Sequence, residues 1–241
     1  MDPRNNPYSP GAGTPPPSLT GRDTLMERVA IALDRLRVGR SARSFIFYGL
    51  RGVGKTVLLS RIRLDAEARG FFSVVIEAPE ERSLPSVLAP ALRSALLGLR
   101  RGGLAKEATE RAMKALAGFV KGLRIKYHDI EIGLDAKPEM GLADSGDINT
   151  DLAELLESVG LVAKERHTAL VLYIDELQYV PKDQLSALIG ALHRAAQKQL
   201  PVTMIAAGLP QLIGQMGCAK PYSERLFEFI PVDRFIKRDD L

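Results

Sequence analysis

The sequence predicts a single α/β domain built around a parallel β-sheet. Short apolar runs at residues 44–48 and 170–174 are typical of buried strands, and apolar residues at helical spacing follow each of them. The second run is apolar throughout, which indicates a strand buried on both faces, as in a parallel sheet. A chain of 241 residues, 46% of them hydrophobic, is long enough for one such domain with a substantial core.

The N-terminal part of the chain predicts a mobile tail followed by one helix. Residues 1–19 contain six prolines and few apolar side chains, a composition that favours disorder. Thr20 and Asp23 then form a pair that is typical of a helix N-terminus. The apolar stripe of this helix comprises Leu25, Val29, Ala32, Leu33 and Leu36.

The following segments alternate between strands and helices. The strand at 44–48 precedes a helix with apolar residues at positions 58, 59, 62 and 66, and residues 71–77 predict a second strand. Ser83 is placed to cap a further helix, which carries apolar residues at helical spacing until Gly102-Gly103 ends it. Another helix is expected at 104–123.

Residues 124–148 are irregular. Ile130, Ile132 and Leu134 alternate with polar residues, and so do Ile125 and Tyr127 at the opposite parity. A small hairpin or a bulged strand, inserted into the domain, is therefore expected here. Beyond it, apolar spacing predicts helices at 151–166, 183–198 and 210–216 and strands at 170–174 and 201–207.

Residues 49–56, Gly-Leu-Arg-Gly-Val-Gly-Lys-Thr, match the phosphate-binding pattern G-x-x-x-x-G-K-[ST], the P-loop, between a predicted strand and a predicted helix. The glycines let successive N–H groups face one concavity, and the helix start adds its amides and the positive end of its dipole. We expect Lys55 to reach the β- and γ-phosphates of a nucleoside triphosphate and the Thr56 hydroxyl to ligate Mg²⁺. The expected cofactor-binding residues here are Gly49, Gly52, Val53, Gly54, Lys55, Thr56 and Val57. The alternative, a glycine-rich turn that binds nothing, does not require Lys-Thr at this point.

Two carboxylates, Asp175 and Glu176, directly follow the buried strand at 170–174. Because ligands of parallel sheets bind beyond the carboxyl ends of the strands, both side chains are expected beside the phosphate-binding loop. We expect Asp175 to hold Mg²⁺ through its water shell and Glu176 to orient and deprotonate an attacking water. The alternative is that the two acids only cap the next turn or helix.

The net charge of +4 is too small to establish nucleic-acid binding. One basic cluster, Arg35, Arg37, Arg40 and Arg43, contains no intervening acid. The cluster either contacts a phosphate backbone or forms a solvated helix end and loop.

Cysteine, histidine and hydropathy patterns favour a cytoplasmic protein without a zinc site. Cys218 is the single cysteine and excludes an internal disulfide. The three histidines, at positions 128, 167 and 193, have no partners at metal-ligand spacing. No signal peptide is visible, and no apolar stretch approaches the ~20 residues that cross a bilayer, so no membrane partner is expected.

The chain resembles the AAA+-type P-loop ATPases, in particular the archaeal-ATPase-like, STAND-related and origin-recognition-like group. Residues 20–23, Thr-Gly-Arg-Asp, resemble the Gly-Arg box that lies beside the adenine, and residues 174–178, Ile-Asp-Glu-Leu-Gln, resemble the Walker B segment. Residues 206–210, Ala-Ala-Gly-Leu-Pro, resemble the end of the sensor strand, and residues 221–227 resemble a segment that follows it. The resemblance covers residues 20–235.

This resemblance implies three α/β/α layers around a five-stranded parallel sheet in the order 5-1-4-3-2. It implies ATP and Mg²⁺ as cofactors, with Gly21 and Arg22 in the nucleotide site. It also makes Arg225 a candidate arginine finger or γ-phosphate sensor, because a guanidinium can neutralise charge on the transferred phosphoryl group. The alternative is a surface arginine paired with Glu224 or Glu228.

Two departures from the family pattern predict slow or partner-dependent hydrolysis. AAA+ proteins commonly carry a polar sensor residue, often asparagine, at the end of the fourth strand. Here that strand ends in Ala-Ala-Gly, residues 206–208, and only Thr203 is polar nearby. Residues 236–241 stand where the helical lid of the family would begin, so a missing lid or a tail is expected there.

The leading hypothesis is an ATP-hydrolysing switch in which Lys55 and Glu176 are catalytic and conformational change passes to a protein partner or a second copy. A nucleotide-dependent assembly module with little hydrolysis is one alternative, and a DNA-binding initiator or mobile-element ATPase is another. A nucleotide kinase would need a phosphate-acceptor site, which the sequence does not clearly show. The absence of a guanine-reading Asn-Lys-x-Asp motif agrees with ATP rather than GTP.

Overall fold

The computed structural model describes residues 22–78, 80–100, 105–130 and 136–233. Its five strands are β1 Ser44–Tyr48, β2 Phe72–Glu77, β3 Leu170–Asp175, β4 Val202–Gly208 and β5 Phe227–Pro231. They pair in parallel in the order β2-β3-β4-β1-β5. The predicted α/β fold and the implied strand order are thereby confirmed.

The helices of the described residues connect these strands. They are α1 Asp23–Arg37, α2 Lys55–Ala68, α3 Leu84–Arg100, α4 Lys106–Leu123, α5 Ile148–Glu165, α6 Lys182–Gln197, α7 Leu212–Ala219 and α8 Ser223–Leu226. A short 3-10 helix, Leu177–Tyr179, follows β3. None of the described helices is both long and apolar enough to span a membrane.

Side chains of the central strands alternate between two apolar layers, as the period of a β-strand requires. Ile46, Leu172 and Met204 pack on one face with helices α3 to α6. Phe47, Tyr173 and Ile205 pack on the other face with α1 and α2. Burial on both faces explains why β3 and β4 have continuous apolar sequences.

The fifth strand was not predicted from the apolar pattern. Its sequence, Phe-Glu-Phe-Ile-Pro, is short and contains a glutamate and a proline. Because β5 lies at the edge of the sheet and pairs only with β1, both residues are tolerated there.

The predicted pairing of Thr20 with Asp23 is not tested, because Thr20 lies outside the described residues. The helix begins at Asp23, and Arg22 precedes it without a side-chain cap. Asp23 therefore lies in the first turn, where its negative charge interacts favourably with the positive end of the helix dipole. By contrast, the Ser83 cap is confirmed, because its hydroxyl accepts a hydrogen bond from the Ser86 N–H at 3.3 Å.

The irregular segment before α5 is anchored by carboxylates. Asp147 caps α5 by accepting from the N–H groups of Asn149 and Thr150. The buried Asp151 accepts from the Ser145 hydroxyl and from the N–H groups of Ser145 and Gly146. Residues 124–130, which include Ile125 and Tyr127, form turns rather than a strand.

Several predictions fall outside the described residues. They concern the tail at 1–19, Thr20, Gly21, the helix end at Gly102-Gly103, Ile132 and Leu134, and residues 236–241.

Candidate functional site

The loop between β1 and α2 has the backbone geometry that the sequence predicts for a phosphate-binding loop. Gly52 and Gly54 have φ angles of 80° and 85°, which lie in the left-handed region that glycine adopts without strain. Gly49 is tightly packed, since a Cβ atom there would lie 2.3 Å from the Val232 carbonyl oxygen. Helix α2 starts at Lys55, directly after Gly54. The N–H groups of its first turn, including those of Lys55, Thr56 and Val57, lack intrahelical acceptors and can bind an anion.

The Lys55 ammonium lies within this loop. Only 6% of the residue is exposed, and its Nζ donates to the carbonyl oxygens of Gly49 at 3.0 Å and Leu50 at 2.8 Å. These bonds place a positive charge beside the amides at the start of α2. The loop therefore combines donors and charge as a polyphosphate site requires.

Thr56 and Asp175, the two predicted metal ligands, line one small cavity of about 140 Å³. Asp175 is the last residue of β3, and its Oδ1 accepts from the Glu176 N–H at 2.9 Å. The Thr56 hydroxyl and the carboxylates of Asp175 and Glu77, which also lines this cavity, suit Mg²⁺, since this ion keeps several waters and takes few protein ligands. The part of the chain that the structure describes holds no cluster of three His, Cys, Asp or Glu side chains suited to a metal.

Tyr173 also lines this cavity and adds no charge to it. Burial raises the pKa of its phenol, and the charge of Glu67 contributes in the same direction. The side chain therefore remains neutral at physiological pH.

The segment after β3 and the end of β4 both contact the P-loop region. The Arg51 guanidinium donates to the Tyr179 hydroxyl at 2.8 Å, and the Gly49 N–H donates to the Gly208 carbonyl at 3.2 Å. Glu176, which follows Asp175, is half-buried and has a φ angle of 51°, so the chain turns sharply where the strand ends. The P-loop, Asp175 and Glu176 are thus brought to one edge of the sheet, as the sequence predicts.

Gln178 is a polar residue of this edge whose role the sequence analysis missed. Its Nε2 donates to a Glu176 carboxylate oxygen, and its Oε1 accepts from the Leu209 N–H at 3.0 Å. The sequence feature that points to this role is a single glutamine in the otherwise apolar and aromatic segment from Leu177 to Val180.

Arg22, which the family resemblance places beside the adenine, contacts the P-loop. Its guanidinium donates to the carbonyl oxygens of Asp233 at 2.9 Å and Val53 at 3.4 Å. Burial lowers the pKa of Arg22, and the charge of Asp233 opposes this shift. Gly21, its predicted companion, lies outside the described residues.

Arg225 lies at the opposite edge of the sheet. It precedes β5, whose first residue pairs with Ser44 at the amino end of β1, whereas the P-loop follows the carboxyl end of β1. Strand β1 separates the two by roughly 15 Å, at about 3.3 Å per residue. The structure therefore does not bring Arg225 to the P-loop of its own chain.

Arg225 instead shares a cavity of about 310 Å³ with Arg40 and Arg43. Among the described residues these three arginines form no ion pair, and no acidic residue lines the cavity. Glu228, one of the two expected partners of Arg225, pairs with Arg28. The other two members of the basic cluster are engaged locally, Arg35 with the Ser41 carbonyl and Arg37 with the Arg69 carbonyl.

Comparisons with known proteins identify the family of the chain and structures similar to it. The sequence profile of the AAA ATPase domain matches residues 18–205. Cdc6p from Pyrobaculum aerophilum has a similar structure, with a TM-score of 0.51 and 18% identity over 93% of this chain and 48% of that chain. The Aeropyrum pernix ORC1 protein, solved in complex with DNA, gives a TM-score of 0.49 and 16% identity over 91% of this chain and 47% of that chain. The chain therefore spans about half the length of both proteins. A comparison with curated protein sequences finds no match.

Proposed function

The chain belongs to the AAA ATPase domain family, and from this premise we propose that it binds ATP with Mg²⁺ and hydrolyses it slowly to drive a conformational switch. The observation that carries the proposal is the arrangement at the carboxyl edge of the sheet. There the P-loop with the Lys55 ammonium and the cavity lined by Thr56 and Asp175 lie together, and Glu176 directly follows Asp175 in the chain.

Each group at this edge receives a role that its chemistry supports. The amides at the start of α2 and the Lys55 ammonium bind the phosphates, and Arg22 supports the P-loop through the Val53 carbonyl. The family resemblance assigns Gly21 and Arg22 to the binding of the base. The Thr56 hydroxyl and the Asp175 carboxylate hold Mg²⁺. When bound, the metal neutralises charge on the β- and γ-phosphate oxygens.

Glu176 then acts as the general base. Its carboxylate accepts a proton from a water as the water oxygen attacks the γ-phosphorus and the bond to the bridging oxygen of ADP breaks. The products are ADP and inorganic phosphate. Conformational change would follow from the loss of phosphate contacts at the P-loop, with the neighbouring ends of β3 and β4 as its first recipients.

The position of Arg225 supports an assembly of several copies. Because it lies at the amino edge of the sheet, its guanidinium can meet only a nucleotide bound by another chain. In a head-to-tail contact, the amino edge of the sheet in one copy faces the carboxyl edge in the next copy, and Arg225 of the first copy then reaches the nucleotide of the second. An arginine finger acting between copies makes turnover depend on protein concentration.

A nucleotide-dependent assembly module with little hydrolysis is the second candidate function. The sequence of β4 favours this function. Thr203 lies at the amino end of the strand, where its hydroxyl is 3.0 Å from that of Ser44. The side chains of β4 therefore supply no polar group near Glu176. The DNA-binding alternative retains only Arg40 and Arg43 of its original cluster, since Arg35 and Arg37 bond within the chain.

Phosphate release from ATP and Mg²⁺ tests the proposal. We expect slow release by the parent chain and loss of release in Glu176→Gln with ATP binding retained. Equal release by the two proteins would remove Glu176 from the mechanism, and ATP binding without any release by the parent would favour the assembly module.

A further inference from the structure

A buried carboxamide joins the end of β3 to the end of β4. Gln178 is 6% exposed, and both ends of its side chain are engaged. Its Nε2 donates to Glu176, and its Oε1 accepts from the Leu209 N–H, which directly follows β4. The bond from the Leu209 N–H and the bond to Glu176 together hold both ends of the planar amide.

The amide occupies space that β4 leaves empty. A Cβ atom on Gly208 would lie 2.7 Å from Gln178 Oε1 and 2.7 Å from Leu212 Cδ2. A side chain at the end of β4 and the carboxamide of Gln178 therefore exclude each other. The polar group beside Glu176 comes from the turn after β3 instead of from β4.

The turn itself directs the amide towards Glu176. Glu176 adopts a left-handed conformation, which is sparsely populated for residues other than glycine, and the 3-10 helix follows at once. This sharp turn lets residue 178 contact residue 176. Gln178 thus links the predicted base to a neighbouring strand of the sheet.

We propose that Gln178 is a positioning residue for hydrolysis. Its Nε2 holds the Glu176 carboxylate in the orientation that accepts the proton of the attacking water, and its bond to Leu209 ties that orientation to the end of β4. The inference rests on the proposed function, because it needs Glu176 to be the general base.

Gln178→Glu separates this role from a structural one. The variant keeps the length of the side chain and an oxygen that accepts from the Leu209 N–H, but it loses the donor and places a carboxylate against Glu176. We expect kcat for ATP to fall about 10-fold or more, because a small misplacement of a reacting group has a large effect on rate. The KM for ATP and the Kd of a non-hydrolysable ATP analogue should stay within about 2-fold of the parent values, since the variant leaves the P-loop unchanged.

Gln178→Met, which is similar in size and makes neither bond, serves as the second variant, and it replaces Gln178→Glu if that protein does not fold. The positioning role predicts a low kcat for both. A purely structural role predicts parental kcat for Gln178→Glu, and that result would overturn the inference while leaving the proposed function intact. A parent chain without any turnover would reject the proposed function and this inference with it.

Discussion

Replacing Gly208 with alanine tests how closely β4 packs against the site. The new Cβ would lie 2.7 Å from both Gln178 Oε1 and Leu212 Cδ2, whereas ordinary contact begins at 3.4 Å. Both side chains, or the backbone at position 208, must therefore shift by about 0.7 Å. Movement of Gln178 weakens its 3.0 Å bond from the Leu209 N–H, and a poorly paired buried donor costs roughly 1–3 kcal/mol.

We therefore expect the free energy of unfolding of Gly208→Ala to fall by about 2 kcal/mol. For a chain of this size that corresponds to a decrease in Tm of roughly 4–8 °C. The kcat for ATP should fall about 10-fold, because the displaced amide no longer orients Glu176. Thermal unfolding followed by circular dichroism and a phosphate-release assay measure the two effects.

Gly190→Ala is the matched control. Gly190 lies within α6, and a Cβ there would meet no atom within 4 Å. Alanine favours a helix by up to ~1 kcal/mol over glycine, so this variant should gain stability and keep its kcat. If Gly208→Ala kept the Tm and kcat of the parent, the packing described for Gln178 would be incorrect.

Three further predictions concern other parts of the chain. Asp175→Asn should raise the Mg²⁺ concentration for half-maximal turnover about 10-fold, because the carboxylate charge is lost, and a parent-like Mg²⁺ titration would contradict this. Arg225→Ala should abolish the rise of specific activity with protein concentration, whereas an equal loss at every concentration would show that Arg225 acts within its own chain. Asp147→Ala should lower the free energy of unfolding by about 1 kcal/mol at neutral pH by removing the α5 cap. Hydrogen bonds, above all from the Asn149 side chain, lower the pKa of Asp147 in the folded state, so its stabilisation is present above the unfolded-state pKa of about 3.9 and is lost as the pH falls through the folded-state pKa. Denaturant titrations of the parent and Asp147→Ala should therefore converge on acidification.

Local patterns sufficed for much of the fold. The segments that became β1, β2, β3 and β4 are apolar runs long enough to be recognised, and the loop and carboxylates of the site follow two of them directly. Their relative positions then follow from the rule that parallel strands place their carboxyl ends at one edge. Strand β5 could not be predicted in this way, because Glu228 and Pro231 interrupt the apolar pattern of its five residues.

The remaining features depend on contacts between distant parts of the chain. Gln178 meets Leu209 across 31 positions, and the pairing of Ser44 with Phe227 decides that Arg225 faces away from its own P-loop. No periodicity in the sequence encodes either contact. The different positions of the clustered arginines have the same cause. Arg37 donates to the carbonyl of the distant Arg69, whereas Arg40 and Arg43 line a cavity.

The nucleotide that the chain retains after incubation with ATP and Mg²⁺ tests the central claim most directly. That claim is that Glu176, at the end of β3, activates water against ATP held by the P-loop. The parent should release phosphate and carry ADP, whereas Glu176→Gln should carry uncleaved ATP with similar affinity. Equal amounts of ADP on the two proteins would contradict the account.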